Sequence, residues 1–192
     1  MKEKYPRIVK KYKEFGRIKR PSKLSSEEKQ TILKKLFQKD PSVYTDKPDL
    51  QEKIRKRMDW IDGYKYIEPK IKELLNFANE VKKEFSHVVW CGMGGSSLFP
   101  LVLEKMFTPE NGYPSLKVLD TNDPENIEKI EKLPLEKTLF IIVSKSGTTI
   151  ETNSHFKYFW DKIEKITSQP GNHFVALTDP DSPLETLAKE LR

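Results

Sequence analysis

Four short apolar runs, at residues 88–91, 116–119, 139–143 and 174–177, alternate with segments of helical periodicity along the second half of the chain. Runs of four or five apolar residues are too short for buried helices. Their separation by helical segments is the pattern of parallel βαβ units, whose strands are covered on both faces. The pattern predicts an α/β fold, a three-layer α-β-α sandwich around a parallel sheet. Two helix starts are marked. Asp123-Pro124 supplies an N-cap with proline at the first helical position, and Ser182-Pro183-Leu184-Glu185 supplies a capping box with the same proline placement. The helix after Thr149 carries Phe156, Phe159, Trp160 and Ile163 on one face.

Two strand exits differ from ordinary connections. Cys91-Gly92-Met93-Gly94-Gly95-Ser96-Ser97 leaves the first run, and Ser144-Lys145-Ser146-Gly147-Thr148-Thr149 leaves the third. In a parallel sheet the loops after the strands open on one edge, so two such loops can converge on one anion. Glycine lets backbone approach closely, and free N–H groups at a helix start attract negative charge. The hydroxyls of Ser144, Ser146, Thr148 and Thr149 with the Lys145 ammonium provide several charge-assisted hydrogen bonds, enough to orient a phosphate dianion. Thr148 and Glu151 also fit a capping box as N-cap and N3, so for these two a structural reading stands beside the functional one. Gly92-Met93-Gly94 begins a dinucleotide-binding turn, with Asp120 at the end of the next strand, but the third glycine would fall at Ser97. A nicotinamide or flavin site would also leave the second loop without a purpose. Neither loop has the Gly-Lys-Ser/Thr ending of a nucleotide P-loop.

The first part of the chain reads as helical. Ser25 and Ser26 precede Glu27 and Glu28, and Ile32, Leu33, Leu36 and Phe37 recur at helical spacing until Asp40-Pro41. A second helix is expected over residues 48–60 with Ile54 and Met58 inward. A third is expected over residues 69–84 with Ile71, Leu74, Leu75, Ala78 and Val81 as its buried stripe. Residues 1–24 show no stripe and read either as an arm packed on another surface or as a mobile segment. The domain division is therefore a helical extension over residues 1–84 and the α/β domain over residues 85–192. The helical pattern of residues 187–192 has no C-cap glycine after it, and the rhythm predicts a further strand directly after Arg192, so the domain reads as truncated.

Charge is uneven: 24 Lys and Arg stand against 13 Asp and Glu in residues 1–83, within a net charge of +6 for all 192 residues. The basic residues are scattered among acidic ones with no aromatic or glycine-rich nucleic-acid motif, so they read as a solvated helical surface with no nucleic-acid partner. No run is long enough to span a bilayer, the amino terminus has no apolar signal region, and the single cysteine, Cys91, cannot form an internal disulfide. A cytoplasmic protein with no membrane partner is expected. His87, His155 and His173 have no Cys or second His at metal spacing and read as ordinary histidines, which leaves no metal site. Trp60, Trp90 and Trp160 read as core or interface aromatics.

Gly94-Gly95-Ser96-Ser97-Leu98-Phe99-Pro100 and Ser144-Lys145-Ser146-Gly147-Thr148-Thr149-Ile150-Glu151-Thr152 resemble the two signature loops of the glucose-6-phosphate isomerase family. The resemblance covers essentially the whole chain, which looks like the amino-terminal half of such an enzyme: a helical extension, then a first sugar isomerase (SIS) domain with flavodoxin-like strand order. It implies an aldose–ketose isomerase acting on glucose 6-phosphate and fructose 6-phosphate through an enediol, without metal or organic cofactor, and a homodimer for the full-length protein. By position, Ser144, Lys145, Ser146, Thr148 and Thr149 would hold the phosphate, and Gly94, Gly95 and Ser96 would line the sugar. Lys145 and Glu151 would be the catalytic contributions of this chain, Glu151 orienting a ring-opening histidine. The family's general base, a glutamate, and its arginine, histidine and distant lysine helpers would lie beyond Arg192. Gly147 stands where many members have a bulkier aromatic, and Phe99, where many have glycine, would narrow the space behind the first loop. A second reading is a stand-alone sugar-phosphate-binding module that senses or regulates, since holding phosphate contributes no proton transfer.

Overall fold

The structure is a computed structural model that describes residues 24–191; the expected amino-terminal arm, but for Leu24, lies outside them. Two compact units divide between Ile71 and Lys72. In the first, helix α1 (Ser26–Phe37) begins at a capping box, the Ser25 hydroxyl accepting from the Glu28 N–H at 3.1 Å and Glu28 accepting from the Ser25 N–H at 2.7 Å. On its apolar face Leu33 and Phe37 are exposed and Leu36 is half-buried. Asp40 accepts from the Ser42 N–H at 2.9 Å and starts a 3₁₀ turn. Helix α2 (Pro48–Arg55) is shorter than the expected 48–60, and Met58 is buried from the turn after it while Ile54 is half-buried. Helix α3 (Gly63–Ile67) follows.

The second unit is the α/β domain. Helix α4 (Ile71–Glu84) leads into β1 (His87–Gly92), and α5 (Leu98–Met106), β2 (Ser115–Leu119), α6 (Pro124–Glu131), β3 (Thr138–Val143), α7 (Ile150–Ile163), β4 (Phe174–Leu177) and α8 (Pro183–Glu190) alternate from there. The four strands pair in parallel in the order β2-β1-β3-β4. The α/β class, the four strands and the order expected from the resemblance are all present. Central β3 is buried at every position except Ile141, which is half-buried.

Alternation along the strands sends Val89, Cys91, Leu119, Phe140 and Ile142 to one face, where they form the core with Ile130 of α6, Phe156, Phe159 and Ile163 of α7, and Leu184 of α8. Phe140 stacks on Phe159 at 4.6 Å between centroids, and Phe174 packs on Phe140 and Phe156 at 5.3 Å. Each fully buried side chain of this kind contributes roughly 1.5–3 kcal/mol. Trp160 packs against the same core. Burial also pushes the Cys91 thiol pKa far up, so it stays protonated and inert. The opposite face is thinner: Leu139 and Val143 are buried, but Val88, Trp90 and Ile141 are only half-buried.

Helix α4 departs from expectation. Of its predicted stripe only Val81 is buried; Ala78 is half-buried, and Ile71, Leu74 and Leu75 are exposed. A helical stripe is buried only where another surface meets it; the carboxyl end is tied down, with the Ser86 N–H just after it donating to the Lys137 carbonyl at 2.9 Å and Lys82 lying over the Tyr113 ring at 3.9 Å.

Candidate functional site

In a sheet of order 2-1-3-4 the chain reverses direction between β1 and β3, and the crevice at their carboxyl ends is where α/β proteins place ligands. The two loops singled out in the sequence leave these two adjacent strands, from Gly92 and Val143, which pair in register. Helix caps separate them from the other exits. Asp123 caps α6 by accepting from the Glu125 N–H at 3.1 Å, as expected, and Ser182 caps α8 by accepting from the Glu185 N–H at 3.1 Å, but the expected capping box stays half-formed because the Glu185 carboxylate accepts from the Asp181 N–H at 2.7 Å. The helices behind the two loops have no side-chain cap: neither Ser97 before α5 nor Thr149 before α7 makes that bond. Their first amides are left to meet something else, and an anion is the ligand that the helix dipole favours there.

The second loop is folded tightly on itself. Buried Ser144 places its hydroxyl 2.9 Å from that of Thr149, and the Thr149 N–H lies 3.5 Å from the Ser144 hydroxyl. The hydroxyls of Ser146 and Thr148 are 2.8 Å apart, and the Gly147 N–H donates to the Ser144 carbonyl at 3.1 Å. The expected capping box of Thr148 and Glu151 does not form, because Thr148 is paired with Ser146 and the helix starts one residue later, with Thr149 at the N-cap. Glu151 therefore sits in the first turn of α7, half-exposed. The Lys145 ammonium is exposed, 4.0 Å from the Asp179 carboxylate at the exit of β4.

Packing at position 147 requires glycine. Its φ is +69°, and a Cβ there would lie 2.8 Å from the Leu184 backbone nitrogen and 3.0 Å from the Ser182 Cβ. The loop abuts the amino terminus of α8 directly, and no side chain fits between.

The first loop is simpler. Gly94 and Gly95 are exposed and Ser96 is half-buried, its carbonyl accepting from the Trp90 indole N–H at 2.8 Å. Buried Ser97 donates its hydroxyl to the Gly94 carbonyl at 3.0 Å. Gly92 permits the turn, since a Cβ there would meet the Ser96 carbonyl oxygen and Cβ at 3.2 Å. Phe99 points outward and is 69% exposed, so it does not narrow the space behind this loop as expected.

His155, in the second turn of α7, is buried with Nε2 at 3.1 Å from the Thr121 carbonyl, and burial holds its pKa below the ordinary value. His87 opens β1, hydrogen-bonded to the Ser115 hydroxyl at 2.6 Å, and His173 directly precedes β4. Among the described residues there is no cluster of three or more His, Cys, Asp or Glu able to hold a metal, and no helix is long and apolar enough to cross a membrane.

From the sequence Thr178, just after β4, is assigned no role. Thr178 donates its hydroxyl to the Ser144 carbonyl at 2.7 Å, and the Asp179 N–H donates to the Lys145 carbonyl at 3.2 Å. A hydroxyl residue directly after the fourth apolar run was the available signal.

A family model described as phosphoglucose isomerase matches residues 31–188. A glucose-6-phosphate isomerase of Campylobacter jejuni subsp. jejuni serotype O:2 is 35% identical over 123 residues, which are 63% of this chain and 30% of that protein. One from Chlamydia pneumoniae is 33% identical over 122 residues, 62% of this chain and 23% of that protein. The crystal structure of a glucose-6-phosphate isomerase from Chlamydia trachomatis D/UW-3/Cx matches with a TM-score of 0.55 at 25% identity, covering 78% of this chain and 28% of that one. A hypothetical protein from Thermus thermophilus matches with a TM-score of 0.60 at 25% identity, covering 86% of this chain and 38% of that one. The chain spans less than a third of the length of these curated relatives.

Proposed function

This chain belongs to the phosphoglucose isomerase family, and on that premise we propose that it supplies the phosphate-holding side of an enzyme interconverting glucose 6-phosphate and fructose 6-phosphate. The observation that carries the reading is the second loop: four hydroxyls and one ammonium gathered at the uncapped start of α7, beside the point where the sheet reverses direction. Ser144, Lys145, Ser146, Thr148 and Thr149 bind the dianion through charge-assisted hydrogen bonds, and Gly94, Gly95 and Ser96 line the sugar. Anchoring the phosphate fixes the far end of the opened sugar, so that C1 and C2 are presented in one geometry to the groups that move the proton.

The reaction opens the ring and transfers a proton between C1 and C2 through an enediol. In this reading Glu151 orients the histidine that opens the ring, Lys145 balances charge at the phosphate end, and the general base belongs to the part of the isomerase that this chain does not span. The full-length enzyme works as a cytoplasmic homodimer on hexose 6-phosphates, without a cofactor. Absence of the base alone lowers turnover by about a hundred- to ten-thousand-fold, so this chain by itself binds substrate and isomerises it close to background.

Amide NMR during a titration with fructose 6-phosphate tests the reading. Shifts concentrated at residues 144–152 and 94–97 are expected. Shifts confined to other regions, or none from a folded chain, reject it.

A further inference from the structure

We propose that Thr178 is a positioning residue for the second loop, holding the Ser144 peptide in the orientation that anion binding requires. The inference rests on the reading of that loop as the phosphate site and adds to it a residue outside both signature loops. Three hydrogen bonds run in series. The Glu185 N–H donates to the Ser182 hydroxyl at 3.1 Å, the Ser182 and Thr178 hydroxyls are 2.8 Å apart, and the Thr178 hydroxyl reaches the Ser144 carbonyl at 2.7 Å.

Each hydroxyl has one proton, and that fixes the direction of the chain. Thr178 gives its proton to the carbonyl of Ser144, with the carbonyl of Lys145 a longer second acceptor at 3.4 Å. Ser182 must therefore donate to Thr178. The N-cap of α8 is in this way connected to the first residue of the loop, which lies 34 residues from Thr178.

The target of this chain matters more than its length. The Ser144 carbonyl accepts from both Thr178 and the Gly147 N–H, at 2.7 and 3.1 Å, which uses both of its lone pairs. The peptide plane between Ser144 and Lys145 is thereby pinned. Because the peptide is planar and trans, holding the carbonyl toward Thr178 directs the Lys145 N–H the opposite way. The same plane sets the direction from which the buried Ser144 side chain reaches Thr149. The Asp179 N–H, donating to the Lys145 carbonyl at 3.2 Å, braces the next peptide from the same segment. Gly147, with no room for a side chain against Ser182 and Leu184, keeps loop and brace in contact.

The test is calorimetric titration of the purified chain with fructose 6-phosphate, for the wild type and for Thr178→Val, Thr178→Ser, Ser144→Ala and the Ser144→Ala/Thr178→Val double variant. Valine keeps the shape of threonine and removes the donor, and affinity is expected to fall about five- to tenfold. Serine keeps the hydroxyl and is expected within about twofold of wild type, a rescue that a purely space-filling role would not give. Ser144→Ala keeps the main-chain carbonyl that Thr178 holds, so Thr178→Val is expected to weaken binding further in that background.

Wild-type affinity in Thr178→Val, alongside weakened binding in Ser144→Ala, overturns the positioning role and leaves the phosphate reading standing. A loss in Thr178→Ser as large as that in Thr178→Val also overturns it. Failure of the wild type itself to bind removes the phosphate reading and the inference together. Ser182→Ala leaves the Thr178 bond but removes the donor feeding it, and serves if Thr178→Val does not fold. About a two- to threefold loss is expected there, and unchanged affinity overturns the proposal.

Discussion

The loops after β3 and β1 start side by side, at Val143 and Gly92, and both lead into uncapped helices, but they are held by different means. The loop after β3 is enclosed. Ser144 is buried, Gly147 is pressed against the start of α8, and residues 178 and 179 hydrogen-bond two of its carbonyls. The loop after β1 is held at its base by Gly92, Trp90 and Ser97, while Gly94 and Gly95 stand in open space. A phosphate dianion needs donors fixed before it arrives, since every donor ordered on binding subtracts from affinity. A sugar ring that must open and turn is better met by small residues. The difference in bracing fits the proposed roles, phosphate at the loop after β3 and sugar at the loop after β1.

The strongest way to break the comparison is to put the same small group into both loops. Gly147→Ala places a Cβ 2.8 Å from the Leu184 nitrogen at a φ of +69°. It is expected to destabilise the fold by about 2–4 kcal/mol, combining left-handed strain with overpacking. Gly95→Ala meets nothing within 4 Å and is expected to change stability by less than about 0.5 kcal/mol. Thermal denaturation of the two variants measures the contrast, and equal losses would show that the loops are braced alike.

Binding sharpens it next. Removing the Ser144 hydroxyl and the Lys145 ammonium together is expected to weaken fructose 6-phosphate binding more than about tenfold, from the loss of two charge-assisted hydrogen bonds to the dianion. Ser96→Ala in the open loop is expected to cost no more than about threefold. Titrations of both variants decide whether the phosphate is held where the bracing is.

A smaller effect reads the helix behind the braced loop. Burial lowers the pKa of His155 below its ordinary 6.5, against opposing pulls from the Thr121 carbonyl, Glu151 and Asp120. Below pH 6.5 the unfolded chain takes up a proton that the folded chain resists, so stability is flat above that pH and falls as the pH drops toward the folded value. Denaturant unfolding between about pH 7 and 5 should show that slope, and His155→Leu should reduce it. The smallest effect belongs to Asp179, whose exposed carboxylate lies 4.0 Å from the Lys145 ammonium and competes with an anion for it. Asp179→Asn is expected to raise phosphosugar affinity about twofold at low ionic strength, with the gain vanishing in high salt.

Much of this was legible in the sequence, because the strands are dense β-branched and aromatic runs with marked helix caps between them, and because the hydroxyl cluster follows one run directly. The failures share a physical cause. Leu74 and Leu75 have the spacing of a buried stripe, but burial depends on an opposing surface that periodicity does not encode. Thr148 fits a cap by spacing, yet a competing hydroxyl 2.8 Å away on Ser146 takes it, and the helix begins at the next residue. Thr178 lies 34 residues from Ser144, and only the pairing of β3 with β4 brings the two together.

Calorimetry of the purified chain with fructose 6-phosphate, run beside unphosphorylated fructose, decides whether the braced loop is a phosphate site. Saturable binding of the phosphosugar, none of fructose, and weakening of that binding by more than about tenfold in the Ser144→Ala/Lys145→Ala variant are expected. Equal binding of both sugars, or no binding by a folded chain, would contradict the phosphate site.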